Sequence, residues 1–296
     1  MVHRRAAAEV FLTGAHQISR HEWVFDVQVS RGHVLVPPRA SEVPLTLCIE
    51  ALRQMGLYMA HSGYEIPLDW AFTLQKTTFA WVPGARVAFP EFAPLELTTH
   101  LLVTGETLRK GLVSGLAACL EFYVGDEMVA VGTGELRCIS PVHYRALRRG
   151  APAPYDVTRR YDPAPVRDLR ETPGGYEGVV GYNHGNPFFF DHPVDHVPGM
   201  LLLHSMTHLF DLTLPHLTAR SVEITCDSFP EFDPPVDIRA TRTAEDTTLH
   251  VVFSQNGRDI AEGHVTGVEA TTLAGADTIP LVDLGDPAPV AQGAVL

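Results

Sequence analysis

Acidic and imidazole side chains cluster in one loop that leads directly into an apolar helix. The loop carries Asp191, His192, Asp195 and His196, and the helix opens with Pro198-Gly199. Proline suits the first turn of a helix, and glycine lets a ligand approach the backbone closely. The unpaired N–H groups of a first turn can polarise a carbonyl or hold an oxyanion, and histidine exchanges protons near neutral pH. This pattern predicts a site that handles an activated acyl group such as a thioester.

Each residue of this segment also has a structural interpretation. His192 and His196 can act as acid or base, or they can only shape the loop through hydrogen bonds. Asp195 can orient an imidazole ring or cap the helix. On the helix itself, His204 and His208 are four residues apart and share one face, a spacing that suits zinc. No HExxH motif is present, because residue 205 is serine. In the other interpretations, His204 acts as a base, or both histidines are core residues whose hydrogen bonds are satisfied. We expect no metal.

An earlier helix carries a carboxylate among apolar residues. Glu50 shares its face with Leu47 and Met55. A buried carboxylate tends to a raised pKa and can take a proton from a hydroxyl group. Alternatively, Glu50 forms a structural ion pair with Arg53, three residues further along the helix. Arg53 is interpreted either as that ion-pair partner or as a residue that binds a phosphate or carboxylate of a ligand. His33, in the loop before this helix, is interpreted as a catalytic residue or as a solvated loop histidine.

The elements that must position these residues follow one plan twice: strand, loop with histidine, buried helix, strands and a hairpin with glycine in the turn. One helix against several antiparallel strands predicts an α+β fold. The helices are expected at 44–62 and 198–212, and the strands at 23–29, 70–79, 95–103, 112–124, 128–138, 178–182, 221–229, 236–242, 248–254 and 260–268. The predicted organisation is a first domain over 1–144, a linker over 145–170, a second domain over 171–270 and a flexible tail over 271–296.

Composition narrows the class of protein. The 296 residues carry a formal net charge of −13, which gives no overall basic surface for nucleic acid. No 18-residue apolar run or signal peptide is recognised, so we expect no membrane span and a cytoplasmic location. The cysteines lack CxxC pairing and are interpreted as reduced and buried. The arginine- and proline-rich linker between 145 and 160 is interpreted as solvated, or as attractive to an acidic carrier protein.

Several strings resemble a known family. Phe189-Phe190-Asp191-His192 followed by Pro198-Gly199 resembles the hot-dog acyl-carrier-protein dehydratases. A more specific resemblance, to the A-factor (γ-butyrolactone signal) synthase family, is carried by Asp191–Met200, Val2-His3-Arg4, Ile49–Gln54 and His61–Leu68. The resemblance implies tandem hot-dog domains packed as an internal pseudo-dimer, an arrangement that is compatible with a monomer. It also implies transfer of a β-ketoacyl group from an acyl-carrier-protein or acyl-CoA thioester to a small hydroxylated acceptor such as dihydroxyacetone phosphate, without a cofactor.

The family pattern is incomplete in the second half. The family's Glu, Arg and Gln match Glu50, Arg53 and Gln54 in the first helix, whereas the second helix has His204, Thr207 and His208 at those positions. Losing an arginine removes a partner for phosphate. Either Arg53 does that work, or the acceptor is not a phosphorylated triose, or this half is inactive. The expected catalytic residues are Glu50, His192, His204 and His33; the expected substrate-binding residues are Arg53, Gln54, Asp195, His196, Gly199 and His208.

Two other functions remain open from the sequence. The altered second helix is compatible with a dehydratase or a thioesterase, in which His192 or His33 is the base and Glu50 the acid. A catalytically degenerate paralogue that only binds an acyl ligand or a signal is the third possibility.

Overall fold

Alternating burial along long strands and one apolar face on each long helix produce two layers of secondary structure. The computed structural model describes residues 1–37, 42–244 and 246–269, so the predicted tail over 271–296 lies outside the described residues. The helices are a 3₁₀ turn (Ala7–Glu9), α1 (Leu45–Gly63), α2 (Pro141–Leu147) and α3 (Gly199–Thr213). The strands are β1 (Leu12–Gln17), β2 (Glu22–Val29), β3 (Ala71–Trp81), β4 (Leu95–Arg109), β5 (Leu112–Val124), β6 (Glu127–Ile139), β7 (Val166–Thr172), β8 (Gly175–Val180), β9 (Leu217–Cys226), β10 (Asp237–Arg242), β11 (Thr248–Gln255) and β12 (Arg258–Glu269).

The strands form one 12-stranded antiparallel sheet with a repeated order. The sequence of neighbours is β1-β2-β4-β5-β6-β3-β9-β12-β11-β10-β8-β7. Counted outward from the junction of β3 and β9, the first half runs β3-β6-β5-β4-β2-β1 and the second half runs β9-β12-β11-β10-β8-β7. The two halves therefore have the same strand order. The halves meet where β3 pairs with β9, with Thr78 opposite Glu223, and Lys76 forms an ion pair with Glu223 at 2.7 Å. The α+β fold with one long helix in each half is therefore confirmed, and the junction places elements of both halves side by side.

Helices α1 and α3 lie against the sheet through their apolar faces. Leu47, Met55 and Met59 of α1 are buried, as are Leu203 and Phe210 of α3, and all of them belong to one hydrophobic core that also contains strand residues of both halves. The two helices also contact each other. Burial of this apolar area is the main stabilising contribution, and it fixes which helix residues can face the junction.

The expected linker contains regular structure. Ser140 caps α2 by accepting a hydrogen bond from the backbone N–H of His143, and β7 begins at Val166, inside the segment predicted as a linker. Strand β1 is likewise not among the strands predicted from the sequence. Both are outer strands, and their sequences, LTGAHQ and VRDLRET, lack the alternation of apolar and polar residues on which strand prediction depends. No helix in the described part of the chain is both long and apolar enough to cross a membrane.

Candidate functional site

A cavity of about 450 Å³ opens at the junction of the two halves. Its wall combines the start of α3, the start of β3, the end of β6, the end of β9, the loop before α3, and the N-terminal segment. The lining side chains that carry charge or imidazole groups are His3, Arg4, Arg53, Arg137, His192, His196 and Asp227. Because neither half supplies all of these elements, the cavity exists only when both halves pack together.

The first turn of α3 faces this cavity. Pro198, Gly199 and Met200 all line it. Pro198 is the N-cap and makes no side-chain cap, and the first backbone bond runs from the N–H of Leu201 to the carbonyl of Pro198. The N–H groups of the opening residues of a helix have no partner within it. A Cβ added at Gly199 would meet nothing within 4 Å, so a ligand atom has room to reach these N–H groups.

An apolar slot adjoins the cavity beneath α1. It measures about 80 Å³ and shares Arg53, Phe72, Thr73 and Leu74 with the larger cavity. Its other lining residues are Leu52, Gly56, Leu57, Met59, Leu101, Leu116, Ala118, Leu120, Gly134, Glu135 and Leu136. A polar chamber that adjoins an aliphatic slot suits a molecule with a reactive polar head and an alkyl tail.

Glu50 lies behind the wall at the centre of an ion cluster. Its side chain is fully buried. Arg53 donates from Nε to Oε2 at 2.8 Å and from Nη2 to Oε1 at 2.7 Å, while Arg4 donates from Nε to Oε1 at 2.9 Å. Gln54 donates to Oε1 at 2.8 Å. Burial alone would raise the pKa of Glu50, but the charges of Arg53 and Arg4 and the hydrogen bonds from Arg53 and Gln54 outweigh it, so the pKa is lowered.

His192 is oriented by its neighbour Asp191. Its Nδ1 forms a very short contact with Oδ1 of Asp191. A carboxylate only accepts, so Nδ1 carries the proton, and in the neutral ring Nε2 has the lone pair. The backbone N–H of Arg5 donates to the other oxygen of Asp191 at 2.8 Å. His192 therefore presents a basic nitrogen from a ring that lines the cavity, with the carboxylate held from the N-terminal segment.

His196 and Asp195 repeat this arrangement four residues later. The Nδ1 atom of His196 lies 2.6 Å from Oδ1 of Asp195. Asp195 also accepts from the hydroxyl of Tyr144 at 2.8 Å and from Nε of Arg148 at 3.1 Å. Burial would raise the pKa of Asp195, yet the hydrogen bonds from His196 and Tyr144 and the charges of His196 and Arg148 hold it well below its usual range. Arg148, from the basic stretch expected to be solvated, is buried and also binds Glu231 at 2.5 Å.

The N-terminal segment contributes a second imidazole pair. Nε2 of His3 lies 2.9 Å from Nε2 of His61, and Nδ1 of His61 lies 2.6 Å from the carbonyl of Ile66. Because a carbonyl only accepts, Nδ1 of His61 holds the proton and His3 donates from Nε2. His3 has a left-handed φ of 54°, an unusual conformation for a residue with a Cβ. Burial, followed by the charges of His61, Arg53, the N-terminal amine and His192, lowers the pKa of His3 to about 4.

The structure brings only part of the expected site together. Arg53, His192, His196 and Gly199 line the cavity. Glu50 and Asp195 hold residues of its wall, and Gln54 holds Glu50 from behind. His33 is buried, with Nε2 at 3.0 Å from Glu9 and Nδ1 accepting from the N–H of Leu35. It is therefore neither solvated nor part of the cavity wall.

His204 and His208 lie away from this cavity wall. Nδ1 of His204 is 3.4 Å from the hydroxyl of Thr46, and its ring packs on Phe189. Burial and the charge of His208 lower the pKa of His204 to about 4, so the ring is neutral at pH 7. Over residues 1–37, 42–244 and 246–269, no group of three or more His, Cys, Asp or Glu side chains is placed to hold a metal ion.

Sequence reasoning missed His3, Arg4 and Arg137 as wall residues, and it did not single out Asp191 as the partner of His192. The string Val2-His3-Arg4 was noted only as a family resemblance. Its side chains reach α1 because the N-terminal segment folds back across the junction, with Arg4 binding both Glu50 and the carbonyl of Phe188. Contacts this distant in sequence leave no periodic signal.

The family model for the A-factor biosynthesis hotdog domain matches residues 1–140 and 165–270. The chain belongs to this family. A relative from Streptomyces virginiae, named 2-oxo-3-(phosphooxy)propyl 3-oxoalkanoate synthase, is 30% identical over 69% of this chain and 72% of its own length. A relative of the same name from Streptomyces griseus is 27% identical over 91% of this chain and 95% of its own length. The family predicted from the sequence is thereby confirmed.

Solved structures share the fold of this A-factor biosynthesis family member. An acyl-ACP thioesterase from Bacteroides thetaiotaomicron superposes with a TM-score of 0.55 at 11% identity, covering 83% of this chain and 98% of that one. The 12:0-ACP thioesterase from Umbellularia californica superposes with a TM-score of 0.54 at 11% identity, covering 86% and 99%. At such identities the likeness concerns the fold alone.

Proposed function

We propose that this protein is an acyltransferase that moves a β-ketoacyl group from an acyl-carrier-protein thioester to a hydroxyl group of dihydroxyacetone phosphate. The product is then a 2-oxo-3-(phosphooxy)propyl 3-oxoalkanoate, the ester for which the Streptomyces relatives are named. The observation that carries the proposal is the open first turn of α3, which faces a chamber that adjoins an apolar slot.

The acyl group is held from both ends. Its alkyl tail occupies the slot beneath α1, where Leu116 and Leu120 provide aliphatic walls. Its thioester carbonyl points at the N–H groups of Gly199 and Met200. These fixed donors and the positive end of the helix dipole stabilise the negative charge that develops on the carbonyl oxygen.

His192 moves the proton. Its Nε2 lone pair takes the proton of the acceptor hydroxyl as that oxygen attacks the carbonyl carbon. The resulting tetrahedral oxyanion rests at the start of α3. When it collapses, the carbon–sulfur bond breaks, and the imidazolium returns the proton to the departing thiolate. The acyl ester and the free carrier thiol are the products, and His192 ends as it began, with Asp191 having stabilised the transient cation.

Glu50 has a positioning role in this mechanism. Its lowered pKa and the donors on both oxygens leave it a weak base. What it does is fix the guanidinium groups of Arg4 and Arg53 in the cavity wall. This assignment follows the structural alternative considered for Glu50 rather than the catalytic one.

The chain is proposed to work with one active site. The second-half positions equivalent to Glu50 and Arg53 are His204 and Thr207, so the same ion cluster cannot form around α3. We further propose that the halves act as an internal pseudo-dimer, that the enzyme works as a monomer in the cytoplasm, and that its acyl donor is a carrier-protein or CoA thioester.

The test follows release of the carrier thiol from a β-ketoacyl carrier-protein thioester, with and without dihydroxyacetone phosphate. We expect release that depends on the acceptor and yields the phosphorylated ester by mass spectrometry. His192→Gln is expected to reduce kcat by about 10²–10⁴-fold, the usual contribution of a positioned general base. His208→Gln, on α3 but outside the cavity wall, is the matched control. Thiol release at the same rate without acceptor indicates a thioesterase, and turnover only of a β-hydroxyacyl thioester indicates a dehydratase; either result refutes the proposal.

A further inference from the structure

Three arginines line the cavity, and they differ in how many N–H groups are already engaged. Arg4 uses Nε and Nη2 on Glu50 and Nη1 on the carbonyl of Phe188. Arg53 uses Nε on Glu50 and Nη2 on Glu50 and the carbonyl of Val2. A guanidinium carries five N–H donors on three nitrogens. Every nitrogen of Arg4 has a partner, whereas the Nη1 group of Arg53 has no hydrogen bond within the residues that the structure describes.

Arg137 is the third arginine and is free. It lies near the end of β6, with its Cα opposite Thr73 of β3 and Gly115 of β5. The residue is exposed and lines the cavity. Within the part of the chain that the structure describes, it has no hydrogen bond, ion pair or ring contact. The planar guanidinium of an unpaired arginine in a cavity wall can donate two parallel hydrogen bonds to a phosphate or carboxylate.

The cavity wall carries more arginines than carboxylates, although the whole protein is strongly acidic. Its formal net charge is −13, yet the charged side chains of the cavity wall are three arginines and a single carboxylate, that of the exposed Asp227. Glu50 and Asp191, behind the wall, offset the charges of Arg4 and Arg53. Arg137 is therefore the wall arginine that has no carboxylate partner among the described residues.

We propose that Arg137 and the Nη1 group of Arg53 together bind the phosphate ester of a substrate. The inference rests on the proposed acyl transfer and locates the phosphate subsite of that reaction. Two reactants can bring such a group: a phosphorylated acceptor carries a phosphate monoester, and the pantetheine arm of a carrier protein carries a phosphodiester. Arg137 thus supplies the free cation that Thr207, which replaces the family's second arginine, does not.

Direct binding tests the subsite without turnover. Inorganic phosphate and dihydroxyacetone phosphate are titrated into the full chain by calorimetry, and unphosphorylated dihydroxyacetone serves as the uncharged probe. We expect Arg137→Gln to weaken binding of both phosphate probes about tenfold or more, in line with loss of a charge-assisted contact. The matched control is Arg109→Gln, which removes an exposed arginine at the end of β4 outside the cavity. Equal phosphate affinity in Arg137→Gln and wild type overturns the proposal.

Kinetics then distinguish the two sources of phosphate. If the acceptor monoester binds here, Arg137→Gln lowers the ratio of kcat/KM for dihydroxyacetone phosphate to that for dihydroxyacetone. If the phosphodiester of the carrier binds here, the variant instead lowers the ratio for acyl carrier protein over an acyl thioester of N-acetylcysteamine, which has no phosphate. Both ratios unchanged would overturn the subsite. Weakened phosphate binding in a protein that transfers no acyl group would leave the subsite intact and refute the acyltransferase reaction.

Discussion

Replacing Glu50 with glutamine tests whether this carboxylate positions the arginines or acts as the base. The amide keeps the shape of the side chain but removes its charge. It also places an NH₂ group where one oxygen now accepts from Arg53 or Arg4. The variant therefore leaves the guanidinium groups of Arg4 and Arg53 without their counter-charge. It also brings the NH₂ group of the amide against N–H groups of these arginines, where no hydrogen bond can form.

The expected loss is large because the carboxylate is fully buried. Removing one partner of a buried ion pair costs about 3–5 kcal/mol. At about 2–4 °C per kcal/mol for a large chain, Tm should fall by roughly 6–20 °C at pH 7. The lowered pKa adds a pH dependence: the ionised Glu50 stabilises the fold above its ordinary pKa of 4.5, and this stabilisation is lost as pH falls through the lower folded value. The difference between wild type and variant should thus narrow below pH 4.5.

Thermal unfolding followed by circular dichroism measures this effect, with Glu106→Gln as the matched control. Glu106 also contacts Arg20, His21 and Tyr64, but its carboxylate is partly exposed, so the same substitution should cost less than about 1 kcal/mol. A Glu50→Gln protein with wild-type Tm but greatly reduced kcat would refute the positioning role and restore Glu50 as the base. A Tm difference that widens in acid would contradict the assigned direction of the pKa.

Two further predictions concern the slot and the second helix. Gly56→Ala should shift chain-length preference toward shorter acyl groups, because the added Cβ would lie 3.3 Å from Leu136 Cδ2 in the slot wall, whereas Leu136→Ala should favour longer ones; competition between thioesters of different length measures both. His204→Leu should reduce the loss of stability between pH 6.5 and about 4, since the buried wild-type ring has its pKa lowered from 6.5 to about 4, and the unfolded chain then binds the extra proton. Unfolding in urea at pH 7 and pH 5 measures that effect, and equal losses in both proteins would contradict it.

The local pattern of apolar residues was sufficient to predict the helices and strands whose burial is regular. The apolar spacing in α1 and the Pro198-Gly199 start of α3 predicted both long helices within a few residues of their ends, because a helix is encoded by neighbours three and four positions apart. The outer strands β1 and β7 were not predicted for the converse reason, since apolar and polar residues do not alternate in their sequences.

The sequence by itself determined the family, the two-half plan and the loop that presents His192 before an open helix start, since each depends on contiguous residues. Only the tertiary structure decided what Glu50 does: Arg4 approaches it from 46 positions away in sequence and, with Arg53, turns a possible base into an anchored anion. Likewise, nothing around Arg137 in the sequence marks it as a ligand group. The structure makes it a cavity residue because the end of β6 from the first half and the start of α3 from the second line the same cavity. Neither half alone contains that cavity.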